Sequence, residues 1–187
     1  MTDFLRPIWL LDFDGVVNPD SKRGGPFWPD WRSARISHPR SPVRTLPLLW
    51  SESVVRVIAD AAVSGVDVRW LTSWRADTAI LPSVIPGLPD LPWFGEKDLP
   101  DDFTPGPRDD NHAWKWHVAR HVVPDGVPLL WTDNDLDLFI LPTWGDASRR
   151  RWTLTRPGGT TLIVPSEPHG LYPRHVTQIR EWVAEHA

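Results

Sequence analysis

Pro7-Ile8-Trp9-Leu10-Leu11-Asp12-Phe13-Asp14-Gly15-Val16-Val17-Asn18 decides the fold of this 187-residue chain. It reads as a buried β-strand that ends in two carboxylates one residue apart, followed by a glycine that lets the chain turn away. Side chains alternate along a strand, so Asp12 and Asp14 share a face if the strand continues. Two acids at the end of a buried strand repel each other and lose solvation, a cost that a cation or a proton relieves. The pair therefore points to a Mg²⁺ site or an acid/base pair. The competing reading is a strand followed by an Asp-rich turn.

Outward from this strand, Asn18 to about Trp50 is rich in Pro, Gly and Arg and has no sustained period, which predicts an irregular flap over residues 18–50. Ser51 is placed to cap a helix with Val54, Val55, Ile58, Ala59 and Ala62 on one face and Gly65 at its end. Val66 to Leu71 reads as the next strand, and its end, Thr72-Ser73-Trp74-Arg75, lies beside the end of the first if the two are parallel neighbours. A short helix from Ala76 to about Val84 opens a Pro-rich insertion over residues 75–111. The helix that follows runs from His112 to about Val123, with Trp114, His117, Val118, His121 and Val122 on its buried side.

Pro128 to Thr132 is a third strand, running into Asp133-Asn134-Asp135-Leu136-Asp137. Trp152 to Thr155 and Thr161 to Val164 read as two further short strands about an Arg156-Pro157-Gly158-Gly159 turn, and an amphipathic helix from about Pro173 closes the chain. Strands alternating with helices predict an α/β fold, a mostly parallel central sheet flanked by helices in one domain over residues 1–187. Ligands of such sheets gather at strand carboxyl ends, where Asp12, Asp14, Thr72 and Asp133 fall.

Composition narrows the chemistry. With no cysteine, thiolate metal sites, disulfides and cysteine nucleophiles are excluded, so a metal must be held by oxygen or imidazole. No signal-peptide pattern and no apolar run of membrane-spanning length is present, which predicts a cytoplasmic protein without a membrane partner. The net charge of −4 disfavours broad adhesion to nucleic acid, yet six basic residues (Lys22, Arg23, Arg32, Arg35, Arg40 and Arg44) face only Asp20 and Asp30 between positions 20 and 44. Arg32 and Arg35 in this flap are candidate contacts to an anionic substrate; the alternative is that the arginines pair with acids of the same surface. The 13 tryptophans are expected mostly as core or loop anchors.

Taken in order, Asp-x-Asp-Gly after strand one, a hydroxyl after strand two, a lysine opening a helix and an acidic cluster after the next strand resemble the haloacid dehalogenase superfamily, phosphatase type. The resemblance runs from Ile8 to about Asp137. The Leu11–Pro19 opening, Leu71-Thr72-Ser73-Trp74 and Pro168-His169-Gly170-Leu171 are also similar to small actinobacterial members of that superfamily. It implies a Rossmann-like core with flap-like insertions instead of a large cap, and a Mg²⁺-dependent phosphomonoester hydrolase. Asp12 would be the nucleophile that forms an aspartyl-phosphate, and Asp14 the general acid/base. The Asp12 carboxylate, the Asp14 carbonyl and the Asp133 carboxylate would hold Mg²⁺. Thr72 would hydrogen-bond the phosphoryl group and Ser73 would contact substrate.

Lys115, one of three lysines, would face the phosphate or Asp12, which offsets the unfavourable placing of a cation near a helix N-terminus. Lys97 and Arg108 are the fallbacks. The acidic motif departs from the commonest family form, leaving Asn134 or Asp137 to complete it and Asp135 or Asp137 as the ligand should Asp133 not serve. His117 and His121 lack the intervening Glu of a zincin helix and read as core or partly buried side chains. Arg149-Arg150-Arg151 reads as a solvated run at a loop-strand junction. The implied substrate is a phosphorylated small molecule, nucleotide or nucleic-acid end, with no obligate protein partner evident. Two alternatives remain: a catalytically idle module that binds nucleic-acid ends or a partner, and a phosphotransferase using the same residues.

Overall fold

The computed structural model describes residues 6–21, 23–38, 41–103, 113–140 and 147–187. Its centre is the quoted stretch. β1 (Ile8–Leu11) is buried at all four positions and is flanked in parallel by β4 (Asp67–Trp70) and β5 (Leu129–Thr132). β6 (Thr160–Ile163) lies parallel to β5, giving the order β4-β1-β5-β6. A strand covered on both faces has no polar side, which is why Ile8-Trp9-Leu10-Leu11 is an unbroken apolar run.

Alternation splits that run between two cores. Trp9, Leu11 and Phe13 join Leu130, α1 (Glu52–Val63) and α6 (Pro173–His186) on one face. Ile8 and Leu10 join Leu129, Trp131 and the Trp116, Val118 and Ala119 side chains of α3 (Ala113–Val122) on the other. Shorter pieces are a 3₁₀ turn at Arg75–Ile80 leading into α2 (Leu81–Val84), another at Glu96–Asp98, α4 (Leu136–Phe139) and α5 (Ala147–Thr155). The parallel α/β sheet thus agrees with the sequence reading. No helix among the described residues is long and apolar enough to cross a membrane.

The flap is not irregular. β2 (Trp31–His38) and β3 (Ser41–Ser51) form an antiparallel hairpin outside the main sheet. Ile36, Leu48 and Trp50 are buried in the α1/α6 core, so one face of the hairpin is pinned. Its polar face and its prolines hid the strand period: Pro47 sits opposite Arg35, a place open to proline because a two-stranded ribbon consists of edges only. Asp30 fastens the base of the hairpin to α1, accepting from the Ser51 hydroxyl (2.7 Å), the Ser53 amide (2.7 Å) and the Ser53 hydroxyl (2.6 Å). Ser51 is the N-cap of α1, as expected, accepting weakly from the Val54 amide at 3.4 Å.

Trp152 to Thr155 is the end of α5, not a strand. The β-prone Thr153 and Thr155 are satisfied within the helix, donating to the carbonyls of Arg149 and Arg151. This also corrects the arginine run: Arg150 and Arg151 are exposed, but Arg149 is buried with its guanidinium 5.7 Å from the Trp116 ring. The buried face of α3 is rotated from expectation. Ala113, Lys115, Trp116, Val118 and Ala119 are buried, Trp114, His117 and Val122 are half-buried, and His121 is exposed. Within the 75–111 insertion, Trp93 bridges in parallel to Trp70 at the sheet edge; residues 104–111, Arg108 among them, lie outside the described residues.

At the start of α6, His175 is buried and its Nδ1 accepts from the Tyr172 amide at 3.1 Å. Burial, reinforced by the neighbouring Arg174 charge, lowers its pKa to about 4 from 6.5. Between those values the unfolded chain binds the proton and the folded one does not, so the contribution of His175 to stability rises with pH from about 4 to 6.5 and is flat above. Urea midpoints of the native chain across this range carry this rise against the opposite contributions of the raised Asp14 and Asp133 carboxyls. His175→Gln, which keeps an acceptor for the Tyr172 amide but does not titrate, should show a less positive slope than the native chain; equal slopes would contradict this.

Candidate active site

The register that builds the sheet also builds the site. Leu11 is level with Trp70 and with Thr132, so the next residues of β1 and β5, Asp12 and Asp133, leave the sheet side by side. The Asp12 amide donates to the Thr132 carbonyl (3.0 Å) and the Asp133 amide to the Ile163 carbonyl (3.1 Å), extending the ladder through both residues. By alternation both side chains belong to the face carrying Leu10 and Trp131, which α3 covers. Lys115, in the first turn of α3, is delivered between them.

Its Nζ donates to Asp12 Oδ2 at 2.7 Å and to Asp133 Oδ2 at 2.8 Å, with all three residues at most 5% exposed. The remaining oxygens are held by backbone: Asp12 Oδ1 accepts from the Phe13 amide (2.7 Å), and Asp133 Oδ1 from the Asp135 amide (2.8 Å). Burial alone would lower the Lys115 pKa, but the two carboxylates raise it well above the ordinary lysine value, so the ammonium is permanent. Burial first, then the Asp12 charge, push Asp133 upward despite Lys115.

Asp135 supplies a third carboxylate. Oxygens of Asp12, Asp133 and Asp135 lie within 4.8 Å of one another, a spacing suited to a shared cation. Asp135 was not among the first-choice ligands, although Asp133-Asn134-Asp135 repeats the Asp-x-Asp pattern of Asp12 and Asp14. Asp137 is exposed on α4 and Asn134 bonds Asp135 Oδ1 at 3.0 Å, so of the two candidates to complete the motif only Asn134 reaches the cluster. Gly15 makes room for it: at φ +71° and with its would-be Cβ 2.4 Å from Asn134 Oδ1, this position accepts no side chain without rearrangement.

Asp14 is separated from the buried cluster. The chain turns after β1, with Gly15 N donating to the Asn18 carbonyl and the Val17 and Asn18 amides to the Phe13 carbonyl. This puts the Asp14 side chain at the surface, where Oδ1 accepts from Asn18 Nδ2 and Oδ2 from Trp74 Nε1, both at 2.7 Å. Protein packed around the carboxylate removes enough water to raise its pKa, aided by the Asp12 charge and opposed by the Asn18 and Trp74 bonds. The Pro168–Leu171 segment braces the turn. Gly170 sits so close to the Val16 carbonyl that a Cβ would approach it to 2.5 Å, and the Leu171 amide donates to that carbonyl at 3.0 Å.

Thr72 is buried just beyond β4, its hydroxyl oxygen accepting from the Trp74 amide at 3.5 Å, and Ser73 beside it is exposed. Arg75 follows with φ +50° and is held by Glu96. Lys97 is engaged elsewhere, with Asp98 at 3.0 Å and over the Trp93 ring, and takes no part in the cluster.

Asp14 opens on a cleft of about 990 Å³ between its own turn and the hairpin, lined among others by Asn18, Asp20, Arg35, Leu48 and Glu167. Arg35 therefore faces the cleft, its guanidinium 3.2 Å from the Thr45 hydroxyl. Arg32 does not: it pairs with Glu52 at 2.8 Å on the exposed surface, as the alternative reading of the flap anticipated. Comparison of the chain with family models, with curated proteins and with solved structures finds no match.

Proposed function

We propose that this chain is a Mg²⁺-dependent phosphomonoester hydrolase that works through a phosphoryl group carried on Asp12. The observation that carries the reading is the buried Lys115 ammonium bridging Asp12 and Asp133 at the level ends of adjacent parallel strands. Further support comes from the strand order, which sets an acid after β1, an acidic cluster after β5 and a hydroxyl after β4 around one sheet end, as in haloacid dehalogenase-type phosphatases. The hairpin takes the place of a cap.

Asp12, Asp133 and Asp135 offer three carboxylates with oxygens within 4.8 Å of one another, a donor set that fits a divalent ion. Bound there, Mg²⁺ supplies positive charge to the phosphoryl oxygens. Lys115 fixes the Asp12 carboxylate, and the Asp12 oxygen attacks phosphorus as the ester oxygen departs. Asp14 gives that oxygen its proton, then takes one from the water that attacks phosphorus in the second step, releasing phosphate and restoring Asp12. The raised pKa of Asp14 favours the first of these roles. Thr72 and Ser73 supply hydroxyls to the phosphoryl group, and the leaving group occupies the cleft.

A screen of phosphate esters with Mg²⁺ tests the reading. Chelation is expected to lower turnover at least roughly 100-fold, and Asp133→Ala to raise the Mg²⁺ requirement about 10-fold or more. Full activity after exhaustive chelation would rule the reading out. Charge reversal at Arg35 should raise KM for a nucleotide or oligonucleotide phosphate, with the effect shrinking as salt is added. Arg32→Glu should leave KM unchanged, since Arg32 is turned to Glu52; equal effects of the two variants would remove Arg35 from the substrate path.

A further inference from the structure

We propose that Asn18 and Trp74 are positioning residues that clamp the Asp14 carboxylate and, through Asn18, tie it to the hairpin; the assignment rests on the phosphatase reading of Asp14. Neither residue is singled out by the Asp-x-Asp-Gly motif. Asn18 Nδ2 donates to Asp14 Oδ1 and Trp74 Nε1 donates to Asp14 Oδ2, each at 2.7 Å. A carboxylate offers about two lone-pair sites per oxygen, so one donor on each oxygen stops rotation and leaves one site per oxygen for the proton in transit. An acid on an open surface turn would otherwise sample many orientations, and proton transfer requires one.

Each donor is itself held. The Leu49 amide of β3 donates to Asn18 Oδ1 at 2.9 Å, which sets the amide of Asn18 with its oxygen toward the hairpin and its NH₂ toward Asp14. The Trp74 ring is buried and packs edge-on against Phe13, with centroids 5.2 Å apart at 73°. Asp14, Asn18 and Leu49 line the same cleft, so a leaving group lodged against β3 meets an acid whose direction β3 has helped to fix.

The test compares the native chain with Asn18→Ala and Trp74→Phe, the latter keeping an aromatic ring against Phe13. With Mg²⁺ present, kcat/KM is measured on an aryl phosphate, whose leaving group needs little protonation, and on glycerol phosphate, whose leaving group needs it. Both variants are expected to lose at least about 10-fold more on glycerol phosphate than on the aryl ester. Equal losses on the two esters, the mark of a merely structural role, would overturn the proposal. A second measurement is independent of turnover. The Trp74 indole N–H resonance, identified by its loss in Trp74→Phe, should shift in Asp14→Asn and in Asn18→Ala; an unmoved resonance in both would overturn the clamp. If the native chain hydrolyses no phosphate ester, the phosphatase reading falls and the indole resonance alone decides whether the clamp exists.

Discussion

Asp12→Asn is expected to lower phosphate-ester turnover by about 10⁴-fold or more while leaving the fold intact. The amide keeps the shape of the side chain and still offers an oxygen to Lys115 or to the Phe13 amide, the two groups that hold the native carboxylate. What it loses is the anionic oxygen that attacks phosphorus. Stability should hold or improve, because the substitution removes one of three clustered negative charges and leaves Lys115 paired with Asp133. A kinetic assay beside a thermal melt checks both halves. Native-like turnover, with contaminating phosphatase excluded, would end the nucleophile assignment; a collapsed melt would assign Asp12 a structural role instead.

Lys115→Met carries the largest expected effect on stability. The ammonium is the cation that two nearly fully buried carboxylates share, and removing one partner of a buried charge network typically costs about 3–5 kcal/mol. For a chain of this size that corresponds to a melting point lower by on the order of 10 °C. Methionine fills a similar volume, so the loss would reflect charge and not a cavity. Millimolar Mg²⁺ is expected to restore more stability to Lys115→Met than it adds to the native chain, since the unneutralised carboxylates have become better ligands for a divalent ion. A variant that melts like the native chain in metal-free buffer would contradict the charge accounting of the cluster.

The parts of the fold that could be read from the chain are those where local pattern and burial agree. Ile8 to Leu11 and Leu129 to Trp131 are unbroken apolar runs because both strands are covered on both faces, and the Ser51 cap and the Pro173 helix start carry their signals within a few residues. The hairpin escaped because its strands bury one face only, through Ile36, Leu48 and Trp50, among arginines, serines and prolines that mimic a loop. Thr153 and Thr155 misled in the other direction, their hydroxyls satisfying the helix that their β-branching disfavours.

At the site, Asp12, Lys115 and Asp133 come together as their places at a strand end and a helix start implied. Asp135 was a second choice and joined them through the tight turn after Asp133, which spacing alone does not specify. Asn18 and Trp74 stand in the quoted Leu11–Pro19 and Leu71–Trp74 motifs, but their role was not legible there: their contacts to Asp14 depend on the turn at Gly15 and on the hairpin, both set by tertiary packing. The charge of the flap was legible, but its destination was not. Arg32 and Arg35, three residues apart on one strand, end at Glu52 and in the cleft respectively.

The central claim is that Asp12 carries the phosphoryl group. Its most direct test is an acid quench of the Asp14→Asn variant during turnover of an aryl phosphate with Mg²⁺, followed by borohydride reduction and peptide mapping. The first step needs little acid on this ester, whereas release of the phosphoryl group needs Asp14 to activate water, so the intermediate should accumulate. The account predicts a phosphorylated peptide containing residue 12, converted by reduction to homoserine at that position. Continued release of the aryl product with residue 12 unmodified throughout would contradict it.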